Sequence, residues 1–308
     1  MSSNQRISDA IFGALVADAA ALGLHWIYDE GRIANIVKNQ HGFAFLEPDP
    51  ANYEGVPAYF AHVTRKAGQG SQYGAALVGA LEYLAQDGRS ADAKGYQTSF
   101  ISRFGPGGSF NGYIDRPTRD ALTKITAEDT APSGGEDNQL PALSAVLAAH
   151  HLGDELWKPL QSVTHANPVA LAAGTLLVKL LSDLDTGGNV QDALRRSADQ
   201  APEPFKGGLR AALQADTSDS VVYGGTTGRA CYLTEGLPLA FHILHNASDY
   251  TDAVRRNILA GGDSCGRALV IGAVMGAAHG VSDIPLDWVL RLEDGRRLWA
   301  LCQEVSTL

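Results

Sequence analysis

Gly272, Gly276 and Gly280 fall four residues apart in an apolar stretch that begins at Cys265 and runs with a helical period to His279. On a helix this spacing puts all three on one face. A glycine inside a helix costs about 1 kcal/mol relative to alanine, and several on one face are offset only where another helix makes close contact. The pattern predicts a central helix. Ile11, Leu15, Ala19 and Leu22 recur at steps of three and four through Ile7 to Leu24, which predicts a second buried helix. Helical periods also run from Gly74 to Ala85, Ala91 to Arg103, Pro117 to Thr126, Leu140 to Leu152, Val169 to Asp183 and Val190 to Gln200. Others run from Phe205 to Leu213, Arg229 to Asn246, Tyr250 to Ile258 and Gly295 to Val305. Pro117, Pro141 and Pro168 sit at helix starts, where a missing N–H costs little. Runs of alternating β-branched or aromatic residues are few. The expectation is an all-α protein folded as one domain over residues 1–308, with Gln40 to Tyr59 as a surface loop carrying a short hairpin. Gly105 to Gly108, Ser133 to Asp137 and Val222 to Gly228 read as turns between helices.

Composition removes several classes of function. Apolar residues make up 45% and charged residues 19% of the 308, which excludes an extended disordered chain. Lysine plus arginine against aspartate plus glutamate gives 24 − 34 = −10. No basic stripe is visible, so a nucleic-acid partner is not expected. The most strongly apolar run, Ala268 to Ala278, is shorter than the roughly 20 residues of a membrane span, and no signal segment is evident. Cys231, Cys265 and Cys302 are odd in number and far apart, consistent with reduced thiols rather than a disulfide or zinc framework. A cytoplasmic protein with neither membrane nor nucleic-acid partner follows as the expectation. Oligomeric state is not encoded in these features.

Four short segments carry candidate chemistry. Gly261-Gly262-Asp263-Ser264-Cys265-Gly266-Arg267 delivers an acid, a hydroxyl, a thiol and a guanidinium to the start of the glycine-bearing helix. Asp263 or Ser264 either meets a ligand or caps the helix. Cys265 is either a thiolate activated by the helix dipole and Arg267 or a small apolar filler. His165, in Thr164-His165-Ala166-Asn167-Pro168, either orients a substrate hydroxyl or bonds to backbone. Asp115, in Tyr113-Ile114-Asp115-Arg116-Pro117, is a free carboxylate or an N-cap. Gly68-Gln69-Gly70-Ser71-Gln72-Tyr73-Gly74 is another glycine-rich helix start, without charge.

Taken in order, these segments resemble the ADP-ribosylglycohydrolases, including the enzymes that remove ADP-ribose from dinitrogenase reductase. The resemblance starts at Gly13-Ala14-Leu15-Val16-Ala17-Asp18-Ala19. It continues through Tyr113-Ile114-Asp115-Arg116-x-x-Arg119, Ser133-Gly134-Gly135 and Thr164-His165-x-x-Pro168. It ends at Gly261-Gly262-Asp263, Gly272-Ala273-x-x-Gly276-Ala277-x-x-Gly280-Val281 and Ile284-Pro285. It implies a compact orthogonal multi-helix bundle whose cleft holds two Mg²⁺ ions and cleaves a ribosyl glycosidic bond. The family's metal-binding Thr-Asp-Asp is matched here by Ser71, Gln72 and Tyr73. Its Gly-Gly-Asp-Thr-Asp-Thr is matched by Asp263, Ser264, Cys265 and Gly266. Only one acid remains, and amide, phenol and thiol groups are poor ligands for Mg²⁺. The binuclear site is therefore expected to be lost, leaving at most one weakly held ion at Asp263 and Ser71, and no cofactor is assigned.

The resemblance implies a small-molecule or ADP-ribosylated substrate. Asp263, Cys265, His165 and Asp115 then take catalytic roles: Asp263 or Asp115 as base for water, His165 on a ribose hydroxyl, and Cys265 as an alternative nucleophile. Asp18, Gln72, Tyr73, Tyr113, Ser133, Gly134 and Arg267 line the substrate, with Arg267 at a diphosphate. The run Ala17 to Trp26 looks closest to the branch containing the J-type jellyfish lens crystallins. The alternative is accordingly a catalytically inactive structural or ligand-binding protein on the same fold.

Overall fold

The computed structural model describes residues 1–128 and 139–308. Ser133 and Gly134 lie outside the described residues. The chain is all-α, as expected, with sixteen α-helices among the described residues. In order they are α1 Ser3–Ala21, α2 Glu30–Gln40, α3 Gln72–Asp87, α4 Ala93–Phe104, α5 Arg116–Thr126, α6 Leu143–Ala149, α7 Asp154–Ser162 and α8 Pro168–Asp185. The second half holds α9 Val190–Gln200, α10 Phe205–Leu213, α11 Ser220–Thr227, α12 Leu233–Asn246, α13 Tyr250–Ala260, α14 Ser264–His279, α15 Leu286–Arg291 and α16 Gly295–Val305.

The glycine-bearing helix, α14, is central, and its partner is α1. A Cβ on Gly13 would stand 2.4 Å from the Gly272 carbonyl oxygen, and one on Gly276 would stand 2.2 Å from the Asp9 carbonyl oxygen. The two backbones thus touch directly at Gly13 and Gly276, with the Ala17 methyl packed beside Gly272. Gly280 departs from the expectation: at φ +80° it ends α14 by donating to Gly276 O, a left-handed cap rather than a third contact point. Tyr250 of α13 ties the pair from the side by donating to Gly13 O at 2.6 Å.

The segment Ser3–Leu24 is long and apolar enough to cross a membrane, and its most apolar window is wholly buried. This corrects the reading that Ala268 to Ala278 bounds the apolar runs. Ala-rich composition spread over two elements, α1 and the short 3-10 turn Leu22–Leu24, hid the length. Val222 to Gly228, read as a turn, lies mostly within α11, because Asp219 caps it by accepting from Val221 N and Val222 N while Tyr223 is buried. Helices α2, α7 and α15 were not signalled either. Gln40 to Tyr59 forms a 3-10 turn at Pro50–Tyr53 capped by Asp49, with no hairpin. Ala58 of this segment forms an isolated antiparallel bridge with Ile27, and Gln139 forms another with Tyr232.

Candidate active site

The C-terminal end of α1 supplies Asp18, fully buried. Its Oδ1 accepts from Ser71 Oγ at 2.6 Å and its Oδ2 from Ser71 N at 2.8 Å. Gly74, one turn into α3, leaves the space: a Cβ there would lie 2.2 Å from Asp18 Oδ2. Burial holds the Asp18 carboxyl up at about 6 despite these two donors. Ser71 is the N-cap of α3, its Oγ accepting from Tyr73 N. Its hydroxyl is turned to Asp18, not to an ion at Asp263.

The next two residues face Asp115. Gln72 Nε2 donates to Asp115 Oδ1 at 3.0 Å and to Thr118 Oγ1 at 2.7 Å, while Gln72 Oε1 accepts from Asp115 N. That backbone donor fixes which end of the amide is which. Asp115 caps α5 through Thr118 N at 2.9 Å. Its Oδ2 is buried and has no hydrogen-bond partner among the described residues. Tyr73 is 2% exposed, and its hydroxyl is pushed well above the usual phenol range by burial and by Asp263 and Asp115 nearby.

The turn before α14 supplies the third acid. Gly262, at φ +65°, allows it: a Cβ there would fall 2.1 Å from Arg229 O. Its amide donates to Ile27 O and its carbonyl accepts from Trp26 N, so the turn is locked to the chain leaving α1. Trp26 adopts a left-handed backbone, φ 65°, in that lock. Asp263 is fully buried and caps α14 by accepting from Gly266 N at 2.9 Å. The same oxygen, Oδ1, accepts from His25 Nε2 at 2.8 Å. His25 Nδ1 lies 2.8 Å from His62 Nε2. With Asp263 fixing the hydrogen on Nε2, His62 is the donor in this second bond. Burial and the neighbouring His25 and Arg65 keep His62 neutral, well below the usual imidazole range. Asp263 Oδ2 and Ser264 Oγ are buried without partners.

The two sequence segments therefore converge. His25 touches Asp263 and packs its ring at 5.7 Å, edge-on, against Tyr73. Cys265 Sγ sits 3.7 Å from Asp18 O and next to Ser71. Above His25, Trp26 stacks at 4.4 Å, and Tyr59 and Tyr113 pack edge-to-face or tilted with it at 5.3–5.7 Å. Arg119 lies over Tyr113. This aromatic group reaches the surface, Tyr59 being 55% exposed.

Two expectations are corrected. Cys265 stands at a helix N-terminus, but burial together with Asp18 and Asp263 raises its thiol well above the usual range, the reverse of an activated thiolate. Arg267 is turned inward: its guanidinium donates to Asn257 Oδ1, Asn257 O, Arg229 O and Gly261 O, fixing the turn instead of facing a diphosphate. Burial lowers it to about 10, so it stays charged. His165 is buried at the corner before α8 with Nδ1 2.7 Å from Thr164 Oγ1. The sequence reading missed His25, His62, Trp26 and Tyr59. His25 and Trp26 had a signal, lying directly after the Asp18 helix, whereas His62 and Tyr59 sit in a loop with no pattern.

A pair of Mg²⁺ ions does not fit this donor set. Both Asp18 oxygens, Asp115 Oδ1 and Asp263 Oδ1 already accept N–H and O–H bonds from Ser71, Gln72, His25 and Gly266, which leaves Asp115 Oδ2, Asp263 Oδ2 and Ser264 Oγ beside a phenol and a thiol, too few hard oxygens for two octahedral ions.

The chain is thus an all-α bundle in which Asp18 of α1, Asp115 before α5 and Asp263 before α14 are gathered around the uncharged start of α3 and His25. The sequence profile of ADP-ribosylglycohydrolase matches residues 1–308, and the chain belongs to that family. Among characterised proteins it is similar to crystallin J1A of Tripedalia cystophora, 27% identical over all of this chain and 99% of that one. Crystallin J1B of the same animal is 25% identical over 99% of this chain and 98% of its own. A solved structure described as an ADP-ribosylglycohydrolase-related protein complex superposes with a TM-score of 0.70 at 20% identity. It covers 99% of this chain and 98% of its own.

Proposed function

We propose that this protein binds an ADP-ribosyl or related ribosyl ligand against Trp26, Tyr59 and Tyr113 and hydrolyses its glycosidic bond with the acids beneath, without a pair of Mg²⁺ ions. The observation that carries this reading is the state of Asp115. Oδ1 is held by Thr118 N and Gln72 Nε2, which fixes the carboxylate plane, while Oδ2 is unpartnered. It lies two residues from Tyr113. A carboxylate so placed can take a proton from water and stabilise the positive charge that develops at the anomeric carbon. Asp263, oriented by His25 and Gly266 N, supplies further negative charge.

The test is release of free ADP-ribose from ADP-ribosylated arginine, ADP-ribosylated serine or an NAD analogue, with and without Mg²⁺. Asp115→Asn is expected to lower turnover by roughly 10²–10⁴-fold while the thermal shift caused by ADP-ribose persists. Turnover unchanged in Asp115→Asn would overturn the assignment of the base.

A second reading, a structural or binding protein without catalysis, is favoured by one observation. Asp263, Ser264 and Cys265 are 0% exposed and Asp263 is already engaged by His25, so a ligand must displace a ring to reach them. No turnover on any of these substrates, combined with no thermal shift on ligand addition, would select it.

A further inference from the structure

His25, His62 and Cys265 come from three separate places: the turn after α1, the loop before α3 and the first turn of α14. Their ligating atoms nevertheless all lie within 4.8 Å of one another, and each residue is buried. Two features go beyond chance packing. Asp263 Oδ1 accepts from His25 Nε2, which leaves the Nδ1 lone pair directed into the cluster. A carboxylate holding the far nitrogen of a histidine is the usual outer partner of a metal-bound imidazole. In addition, Asp263 Oδ2 and Ser264 Oγ, beside the cluster, are fully buried polar atoms with no partner among the described residues.

We propose that His25 Nδ1, His62 Nε2 and Cys265 Sγ bind one divalent ion of borderline softness, of the Zn²⁺ class, with Asp263 orienting His25 from outside. Two imidazoles and a thiolate suit Zn²⁺ and disfavour Mg²⁺. Bond lengths of about 2.0–2.1 Å to nitrogen and about 2.3 Å to sulfur place tetrahedral ligand atoms roughly 3.3–3.7 Å apart. The two nitrogens, now 2.8 Å apart, must therefore separate slightly while the sulfur approaches. His62 is in a loop and can yield. On binding, His62 moves its ring hydrogen from Nε2 to Nδ1, and Cys265 loses its thiol proton to solvent, so one proton leaves per ion bound. Three protein ligands leave the fourth position to water. The inference does not depend on hydrolysis of any substrate.

The experiment is titration of the full-length protein, freed of metal by chelator and kept reduced, with Co²⁺ followed by displacement with Zn²⁺. The expected result is one equivalent bound, tetrahedral ligand-field bands, and a thiolate-to-cobalt charge-transfer band that Zn²⁺ abolishes. Cys265→Ser should remove the charge-transfer band and His62→Gln should weaken binding at least tenfold, with Cys231→Ser unchanged. His62→Gln, altering a loop residue, serves should Cys265→Ser fail to fold. Asp263→Asn should weaken binding by roughly 10–100-fold. No stoichiometric binding, a spectrum without the charge-transfer band, or wild-type binding in His62→Gln would overturn the site and leave a plain imidazole–imidazole hydrogen bond.

Discussion

Gln72 is held at both ends of its amide by a single residue. Its amide both donates to the Asp115 carboxylate and accepts from the Asp115 backbone, two complementary bonds to one residue. A carboxylate at this position could only accept, and would face Asp115 Oδ1 with like charge. Gln72→Glu is therefore expected to destabilise the protein by about 1–3 kcal/mol, read as a lower midpoint in urea at pH 7 with little change in slope. An unchanged midpoint would mean the clasp contributes nothing net. Residue identities at the site were legible in the sequence as far as type and order went: Asp18, Ser71, Gln72, Tyr73, Asp115, Asp263 and Cys265 do converge. Their environments were not legible. Cys265 read as a candidate thiolate because a helix start attracts negative charge, but full desolvation outweighs that attraction, and only the packing of α1 against α14 reveals the desolvation.

Among the elements, the contact between α1 and α14 was the most readable and is the most exacting. Gly272 and Gly276 announced a close approach, and Gly13 answers them from the other helix. Gly13→Ala or Gly276→Ala should each cost about 1–3 kcal/mol in chemical denaturation, because the new methyl meets a backbone carbonyl that cannot rotate away. Gly207→Ala is the matched comparison. It lies inside α10 with nothing within 4 Å of its would-be Cβ, so it should be neutral or stabilising by up to about 1 kcal/mol. Equal effects at the three positions would show that helix propensity, not close approach, governs them. Two of the missed helices share a cause. In α11 and α15 the apolar positions are too few in eight and six residues to establish a period, and capping by Asp219 or lateral packing of Trp288 fixes them instead. Gly280 illustrates the reverse error, since a spacing of four continues past a helix end without meaning that the helix does.

At the scale of the whole molecule, stability against acid should track histidines held neutral in the interior. His151 is the clearest case away from the site. Burial, with His150 alongside, lowers it to about 3, and its Nε2 donates to Val305 O at 3.0 Å. In the unfolded chain it titrates near 6.5. Its folded pKa being the lower one, the stabilisation is present above pH 6.5 and is lost as pH falls from there toward 3. By pH 5 the loss is roughly 1–2 kcal/mol. His151→Gln should flatten that part of the stability–pH profile, measured by urea midpoints from pH 7 to pH 5. A wild-type slope in the variant would assign the acid sensitivity elsewhere.

The central pair also joins the beginning of the chain to its far end: Arg6 of α1 donates to Ala277 O of α14 across 271 residues of sequence. The segment long and apolar enough to cross a membrane, Ser3–Leu24, is thus made well before the helix it packs against. On the ribosome it waits while the twelve described helices between them, α2 to α13, are made. Growing chains are therefore expected to cover α1 provisionally, with early helices or a holding chaperone, until α14 has emerged and the central contact can form.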